Sequence, residues 1–450
     1  MTRVAIDAAG NGRALELWRH SVGLGGISPE PLPAAAAAAV RLLRPRLVRI
    51  FVQEFFRAWN ASGRADWRRL DAYLDAVATT GAKVVAAITL KPPVLFPTID
   101  AARWQPTDTG RWQELIRALV HRYSVEKPLV THWEIGNEPD IGEAGGSPYL
   151  IRDARDYLAY YRLTAQAVRQ AFPAARVGGP ANAGLLNPPL PEFVERCRAE
   201  GTRLDFLSWH LYHSDPDLHA HQTAVARLLT RRLEPRPELL LTEWNCGFSP
   251  RTDAEQSVQP WRAAAVAAIV LALHRAGLDY SFYYHVHDQR CCPADFAPFF
   301  SPAGIAGMVR HWNERPHRFG LFGVDGELRP QYFVFQMLTA LGDEELDASS
   351  TDPAVRVLAG RRGSDVAILA VNYSIDAPGE RLVQLCLGGL RAGPRRLALF
   401  RLDAAQRWSA PELRLLPLET RRTWVGEHHE CELRLPAHSV ALLRLDTCES

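Results

Sequence analysis

The stretch His132-Trp133-Glu134-Ile135-Gly136-Asn137-Glu138-Pro139-Asp140 gives the strongest indication of how this chain folds. An apolar strand ends here and brings an Asn-Glu pair into a turn. A second stretch, Leu239-Leu240-Leu241-Thr242-Glu243-Trp244-Asn245, does the same with another glutamate. Hydrolysis of a glycosidic bond needs two such carboxylates, because one protonates the leaving oxygen and the other meets the sugar carbon. The two stretches therefore predict parallel strands that carry a glycosidase site.

Strand and helix patterns alternate through most of the chain. From about residue 23 to residue 341, short apolar runs are separated by longer amphipathic ones, which is typical of strand and helix units in a parallel sheet. Eight strands can be placed, at 23–25, 47–52, 83–90, 130–135, 176–179, 206–210, 239–242 and 280–284. Helical patterns lie between them, for example at 66–80, 153–172 and 253–276. Eight such units close into a (β/α)₈ TIM barrel, an α/β fold.

The pattern changes near residue 346 to alternating strands joined by turn residues. These strands are predicted at 355–358, 365–373, 381–387, 396–402, 431–435 and 439–445, with no helical pattern among them. A chain of 450 residues is long enough for two domains. We therefore predict a catalytic barrel over residues 1–344 and a C-terminal antiparallel β-sandwich over 345–450. Residues 1–15 are a candidate to join the sandwich through a strand at 3–7.

The composition excludes several classes of protein. With 47% hydrophobic residues, 23% charged residues and a net charge of +2, neither disorder nor electrostatic binding of nucleic acid is expected. The sequence has no signal peptide pattern and no membrane-spanning run, so a cytoplasmic enzyme without a membrane partner is expected. The seven cysteines are odd in number and scattered, which predicts reduced thiols instead of a disulfide framework. Assembly into a homo-oligomer is left open.

The two glutamates are placed to act on one carbohydrate substrate. Side chains at the C-terminal strand ends of a barrel converge, so Glu138 after the fourth strand can face Glu243 after the seventh. Asn137, immediately before Glu138, can donate a hydrogen bond to a sugar hydroxyl group. This chemistry requires no cofactor. The two glutamates therefore predict a glycoside hydrolase, in which one carboxyl group protonates the leaving oxygen and the other meets the sugar carbon.

Four stretches carry a resemblance to a known family. They are 133–140, Ser208-Trp209-His210-Leu211-Tyr212, 242–245 and 319–330, the last of which reads Phe-Gly-Leu-Phe-Gly-Val-Asp-Gly-Glu-Leu-Arg-Pro. The chain resembles glycoside hydrolase family 39, the β-xylosidase and α-L-iduronidase family, within the clan of retaining (β/α)₈ glycosidases. The resemblance covers nearly the whole chain, and a C-terminal β-sandwich belongs to the same architecture.

The resemblance implies roles for individual residues. Glu138 matches the acid/base and Glu243 the nucleophile, Arg49 matches an arginine that supports the nucleophile, and His210 with Tyr212 matches a pair at the floor of the sugar site. For Arg49 and His210, an internal salt bridge and a buried core histidine are the alternatives. An arginine or a tyrosine hydroxyl beside Glu243 is expected to lower its pKa, and the facing carboxylate is expected to raise that of Glu138.

The chain also departs from the family pattern. Gly136 stands where the family usually has tryptophan, residues 50–54 lack the histidine that follows the arginine, and Tyr284 replaces a tryptophan on strand eight. These changes bear on sugar specificity. A β-xyloside or related glycoside is the expected substrate, with a uronide or a microbial exopolysaccharide as alternatives. A catalytically silent carbohydrate-binding protein is the alternative from another class.

Other residues are candidate ligands of a metal or of the substrate. The group to consider for a metal is His285, His287, Asp288, Cys291 and Cys292. Adjacent cysteines do not easily occupy two corners of one tetrahedron, so no metal site is predicted. His287 is instead a candidate substrate contact, and Trp244 is a candidate platform for a sugar ring. Further aromatic candidates on the loops are Trp59, Trp104 and Phe296.

Overall fold

The structure is a computed structural model that describes residues 1–10, 12–60, 62–247, 259–314, 318–405 and 407–448. Its strands are β1 (Thr2–Asp7), β2 (Arg13–Ala14), β3 (His20–Gly23), β4 (Leu47–Gln53), β5 (Lys83–Thr89), β6 (Val130–Ile135), β7 (Arg176–Asn182), β8 (Phe206–Tyr212), β9 (Glu238–Asn245), β10 (Tyr280–Tyr284), β11 (Glu344–Ser350), β12 (Val355–Arg362), β13 (Asp365–Asn372), β14 (Arg381–Gly388), β15 (Gly393–Leu402), β16 (Trp408–Ser409), β17 (Arg414–Leu415), β18 (Glu419–Val425), β19 (His429–Leu435) and β20 (Ser439–Thr447).

Among the described residues, the first seven α-helices lie between the barrel strands and the other three follow β10. They are α1 (Ala34–Leu42), α2 (Arg68–Ala78), α3 (Thr109–Val120), α4 (Ala154–Ala171), α5 (Leu190–Ala199), α6 (Pro216–Thr230), α7 (Pro260–Arg275), α8 (Pro293–Phe296), α9 (Pro302–Val309) and α10 (Pro330–Thr339). Residues 253–258 of the helical pattern predicted at 253–276 lie outside the described residues. In the described ranges, no helix has both the length and the apolar character needed to cross a bilayer.

The strands β3 to β10 form a closed parallel barrel, which confirms the predicted fold. All eight predicted strands are present. The first one lies earlier than predicted, and the strands that begin at Arg176, Phe206 and Glu238 run two or three residues further. Side chains that point outward from these strands pack against the helices in one large core. This double burial explains why the strand sequences are nearly continuous apolar runs.

One strand carries a bulge that matters for the site. Leu241 of β9 pairs with Trp209 of β8, but the next residue of β8, His210, pairs with Glu243. Pairing with the other neighbour, β10, shows the same extra residue. Ser281 pairs with Leu241 and Tyr283 pairs with Trp244, so two steps along β10 correspond to three steps along β9. Thr242 is therefore an extra residue, and it reverses which side chains of β9 point into the barrel.

The remaining strands form a second, mostly antiparallel unit. One continuous path runs β18-β15-β20-β13-β12-β11-β1-β14-β19. Strand β1 belongs to it, as predicted for residues 3–7, and pairs antiparallel with β11 and parallel with β14. Strands β11 and β18 were not predicted. Apolar residues from both ends of the path share one buried cluster, separate from the barrel core. Because β11 begins at Glu344, it lies across the predicted domain boundary, and that division stays a prediction.

The barrel and this second unit are joined mainly through α7. His274 Nε2 lies 2.9 Å from Glu345 Oε2, and Arg275 donates to the carbonyl oxygen of Val357 at 2.5 Å. Away from this helix, the Tyr373 hydroxyl donates to the carbonyl oxygen of Ser214 at 3.0 Å. The second unit therefore packs on the side of the barrel formed by its last strands, away from the turn that carries Glu138.

Candidate active site

Arg49 connects three strands at the C-terminal end of the barrel. Its guanidinium donates to Glu134 at 2.7 Å, to Glu243 at 2.7 Å and to the side-chain oxygen of Asn137 at 2.8 Å. The side chain is 1% exposed. A buried charge of this kind is stable only when it is paired and hydrogen-bonded. Arg49 therefore holds the strand that precedes Glu138 and the strand that carries Glu243 in one arrangement.

Glu138 occupies a turn whose backbone is constrained on both sides. Its φ angle is +42°, a conformation that non-glycine residues rarely adopt, and its N–H donates to the carbonyl oxygen of Ala181 at 2.8 Å. Gly145 lies so close that a Cβ atom there would be 1.9 Å from Glu138 Oε2. His210 Nδ1 lies 2.8 Å from Glu138 Oε1. These contacts hold the carboxyl group in one position.

Glu243 points into the barrel because of the bulge at Thr242. The Tyr212 hydroxyl donates to Glu243 Oε2 at 2.5 Å, and Arg49 donates to Oε1 at 2.7 Å. His210 Nδ1 is 3.6 Å from Glu243 Oε2. One carboxylate oxygen of Glu138, one of Glu243 and a ring nitrogen of His210 all lie within 4.8 Å of one another. The two carboxyl groups therefore face each other across a short gap.

Burial controls the protonation of these groups. Burial, followed by the negative charges of Glu243 and Asp140, raises the pKa of Glu138 well above its usual range. Burial also raises the pKa of Glu243, although the Arg49 charge and the hydrogen bond from Tyr212 act in the opposite direction. The prediction of a lowered pKa for Glu243 was wrong in direction, because loss of solvent outweighs those contacts. Burial and the Arg49 charge lower the pKa of His210 well below its usual range, so this ring is neutral.

The two glutamates line a cavity of about 460 Å³ at the C-terminal face of the barrel. Its wall is formed by residues from the strand ends, from the segment 141–146 and from α9 with the residues that follow it. The lining residues are Gly26, Ile27, Phe51, Gln53, Asn137, Glu138, Ile141, Glu143, Ala144, Gly145, Gly146, Ala183, Tyr212, Glu243, Tyr284, Ala303, Gly304, Gly307, Met308, His311 and Trp312. A cavity of this size holds one or two sugar units.

Comparison with known proteins assigns the chain to a family. The family model described as glycosyl hydrolases family 39 matches residues 54–377. The chain belongs to this family. A β-xylosidase of Geobacillus stearothermophilus is 28% identical over 293 residues, which are 59% of this chain and 52% of that protein. A β-xylosidase of Caldicellulosiruptor saccharolyticus is 24% identical over 278 residues, 58% of this chain and 52% of that protein. The chain thus spans about half the length of these curated relatives.

Solved structures of the family share the fold over the whole chain. A family 39 enzyme of Xanthomonas axonopodis pv. citri superposes with a TM-score of 0.77 at 19% identity and covers 99% of this chain and 97% of that one. A monomeric β-xylosidase of Caulobacter crescentus superposes with a TM-score of 0.76 at 20% identity, covering 99% of each chain. The arrangement of barrel and second unit is therefore that of family 39.

The structure brings together seven of the nine sequence-predicted site residues. Asn137, Glu138, Tyr212, Glu243 and Tyr284 line the cavity. Arg49 and His210 lie beneath them, bonded to the glutamates. The salt bridge considered as the alternative for Arg49 is present, and it includes Glu243 itself. The internal salt bridge and the contact with the candidate nucleophile are therefore made by the same guanidinium group.

The structure does not place Trp244, the candidate platform for a sugar ring, in the cavity. Its ring is fully buried outside the barrel strands, where it packs against Tyr283 at 5.4 Å and His219 at 6.0 Å. The reason is the bulge, since turning Glu243 inward turns the next residue outward. His287 does not line the cavity either, and it pairs by an isolated bridge with Phe322.

Within the described ranges, the loop aromatics and the loop 285–292 also lie outside the cavity wall. Phe296 is fully buried among other phenylalanines, and Trp59 and Trp104 do not line the cavity. Asp288 accepts hydrogen bonds from Arg329 at 2.6 Å and from the Gly320 N–H at 2.7 Å, and it lies 3.1 Å from His285 Nε2. These bonds explain the run of histidine and aspartate without a metal. Converging donor atoms are found at Glu138, His210 and Glu243, where Arg49 supplies the positive charge.

Among the residues of the cavity wall that sequence reasoning missed are Gln53, Glu143, His311 and Trp312. Trp312 packs against Tyr284 with ring centroids 6.1 Å apart, and His311 lines the cavity beside it. Gln53 lies at the end of β4, two residues after Phe51 on the same face, so period-two alternation from Arg49 would have found it. Glu143 accepts hydrogen bonds from the backbone and side chain of Ser301, the residue before α9. No local pattern marks Trp312 or Glu143, because both depend on contacts between distant loops.

Proposed function

We propose that the chain is a retaining glycoside hydrolase that cleaves O-glycosidic bonds by double displacement. A Glu243 oxygen attacks the anomeric carbon, and the bond to the leaving oxygen breaks while that oxygen takes the proton of Glu138. Glu138, now ionised, then accepts a proton from water as the water oxygen attacks the same carbon. The bond to Glu243 breaks, and both glutamates return to their initial states.

The observation that carries this proposal is the close approach of the two carboxyl groups. Oxygens of Glu138 and Glu243 lie within 4.8 Å of each other. Direct attack requires carboxyl groups about 5–5.5 Å apart, whereas inverting enzymes need about 6.5–9.5 Å to admit a water molecule between sugar and base. The contacts of each residue support its role. Arg49 and Tyr212 donate hydrogen bonds to Glu243 and favour its ionised form. The Arg49 charge also acts on Glu138, but burial and the charges of Glu243 and Asp140 outweigh it, so Glu138 keeps its proton more strongly.

The pKa directions predict the pH dependence of this reaction. Glu243 must be ionised to attack, so activity rises as the pH rises through its pKa. Glu138 must be protonated to act as the acid, so activity falls as the pH rises through its higher pKa. Both carboxyl groups have raised pKa values, so the pH optimum is expected to lie above the value that two exposed glutamates would give.

The substrate is proposed at the level of its class. Two matched relatives bear the name β-xylosidase, which supports a β-xyloside or a related glycoside. Phe51, Gln53 and Tyr284 line one side of the cavity. Residues 50–54 and Tyr284 depart from the family pattern, which favours another sugar. A uronide or a microbial exopolysaccharide is the alternative that the sequence leaves open.

The test is the loss and chemical rescue of Glu243. We expect Glu243→Ala to lower kcat on a 4-nitrophenyl glycoside by about 10⁴-fold or more. Azide should restore turnover, because it fits the space left by the carboxylate and attacks from the same face, giving a glycosyl azide of inverted configuration. Glu238→Ala, at the opposite end of the same strand, is the matched control and should keep its kcat. NMR should show that the native enzyme first releases the anomer of the substrate's own configuration. Near-normal activity of Glu243→Ala, or initial release of the opposite anomer, would contradict the proposal.

A further inference from the structure

Gln53 presents an amide of fixed orientation to the cavity. It is the last residue of β4, is 1% exposed and lies in the cavity wall. Its side-chain nitrogen donates to the carbonyl oxygen of Gly26 at 3.3 Å and to that of Gly146 at 3.1 Å. Turning the amide over would set its oxygen against these two carbonyl oxygens. The neighbouring backbone therefore determines which end of the amide is the acceptor.

The oxygen of this amide is left for a ligand. Gln53 Oε1 is buried and has no hydrogen-bond partner among the described residues. A buried acceptor without a donor is unfavourable, and such groups in folded proteins are usually paired. The two glycine carbonyls occupy the nitrogen, so the missing partner must be a donor. A hydroxyl group of a bound sugar is such a donor.

The cavity wall is also rich in carboxyl groups. Glu138, Glu143 and Glu243 contribute carboxyl groups. Within the described ranges, no lysine or arginine side chain lines the cavity. Arg49 lies below the wall, 1% exposed, with its guanidinium bonded to three side chains. Apart from the imidazole of His311, a negatively charged sugar would therefore meet carboxyl groups and an amide oxygen, with no lysine or arginine of the described residues to pair with it.

Apolar surface completes the same side of the cavity. Phe51 and Tyr284 belong to one buried cluster at the strand ends, and Trp312 packs against it. Rings of this kind stack on the C–H faces of neutral sugars. The wall thus combines an aromatic corner with an acceptor for a hydroxyl group.

We propose that the sugar bound next to Glu243 is neutral, that one of its hydroxyl groups donates a hydrogen bond to Gln53 Oε1, and that uronic acids are excluded. This inference rests on the proposed function. It selects among the substrates left open by the sequence, because a glucoside and a glucuronide differ only in a CH₂OH group and a carboxylate.

The first test compares matched pairs of substrates on the native enzyme. The 4-nitrophenyl β-glycosides of glucose and galactose are assayed beside those of glucuronic and galacturonic acid. We expect the better neutral member to exceed its uronide in kcat/KM by at least 100-fold, equivalent to about 2.7 kcal/mol. If a uronide has a kcat/KM as high as that of its neutral partner, the inference is wrong and the proposed function is unaffected.

The second test removes the acceptor. Gln53→Leu should lower kcat/KM on the best neutral substrate by about 10–100-fold, mainly through KM, since an uncharged group that binds the sugar is lost. A deoxy substrate that lacks the bonded hydroxyl should have a lower kcat/KM than the parent substrate on the native enzyme. On Gln53→Leu, the two substrates should have the same kcat/KM. Gln113→Leu, in which an amide that bridges α3 and α4 is removed, is the matched control and should leave both values unchanged. If Gln53→Leu fails to fold, Gln53→Met supplies a chain of similar length.

Binding separates this inference from the proposed function. Titration calorimetry with the Glu138→Gln variant measures the methyl β-glycosides of the same sugars without turnover. Tighter binding of the neutral member of a pair supports the inference even if the native enzyme cleaves nothing. Equal or tighter binding of the uronide overturns it, as does unchanged affinity for the neutral glycoside when Gln53→Leu is combined with Glu138→Gln.

Discussion

The two ends of the barrel use the same strands for opposite purposes. Near the strand starts, the inward side chains form a small apolar cluster of Leu47, Val85, Phe206, Leu240 and Phe282. Near the strand ends, the inward positions hold charged and polar groups that are buried to nearly the same degree, Arg49, Glu134, His210 and Glu243 among them. Only two to four residues separate the two layers along a strand. A side chain's place along the strand therefore decides whether it stabilises the barrel or serves the site.

The two layers differ in how much stability is lost when one side chain is removed. Apolar contacts are non-directional, so a gap in the cluster loses packing and little else. The polar layer is a set of mutually dependent bonds, in which Arg49 binds Glu134, Glu243 and Asn137 at once. Removing one partner from such a set leaves charges buried without a counter-charge.

Arg49→Met should damage stability and activity together. Two buried carboxylates lose their cation, so we expect the free energy of unfolding to fall by about 3–5 kcal/mol. The pKa of Glu243 should rise further, and kcat/KM at neutral pH should fall by about 10²–10³-fold. Denaturant unfolding and steady-state kinetics measure the two quantities. A variant as stable as the native chain would show that the polar layer does not depend on this arginine.

Phe206→Ala should damage stability alone. The ring is fully buried in the apolar cluster at the other end of the strand that carries His210 and Tyr212. Truncating a buried phenylalanine typically costs about 3–5 kcal/mol. We expect kcat to stay within about twofold at temperatures where the variant is folded. If kcat instead falls as it does for Arg49→Met, the two ends of the barrel are mechanically coupled and the comparison fails.

The same contrast explains what the sequence could predict. The apolar layer follows from the alternation and hydrophobicity of each strand, and every barrel strand was placed from it. Glu138 and Glu243 were found because each follows an apolar run directly. The orientation of Trp244 could not be predicted, since it depends on the bulge at Thr242, which only pairing with both neighbouring strands reveals. Residues that reach the cavity from distant loops, such as Trp312, carry no periodic signal.

Gly145→Ala should disturb the acid/base residue without unfolding the barrel. An added Cβ would lie 1.9 Å from Glu138 Oε2 and 2.8 Å from Glu138 Cβ, so the carboxyl group must move. Displacement of a catalytic group by about 1 Å typically costs about 10²-fold in rate, and we expect kcat to fall by about 10–100-fold. Gly388→Ala, where the nearest atom would be 3.5 Å away on His428, is the control. Unchanged kcat for Gly145→Ala would show that the carboxyl group has another productive position.

The smallest expected effect concerns sugar choice within the neutral class. The segment 51–53 and Tyr284 replace residues that the family pattern places around a small pentose, and Trp312 adds a ring to the same wall. When the buried polar groups of a site bond one arrangement of hydroxyl groups, sugars that leave those polar groups unpaired bind less well. We therefore expect 4-nitrophenyl β-D-xyloside to be at best a poor substrate, and another neutral glycoside or oligosaccharide to have a kcat/KM at least tenfold higher. A tenfold ratio is only about 1.4 kcal/mol of transition-state binding, which one hydrogen bond to Gln53 can supply. If the xyloside is the best substrate in a broad panel of glycosides, these replacements do not affect specificity, and the polar layer alone determines which sugar is cleaved.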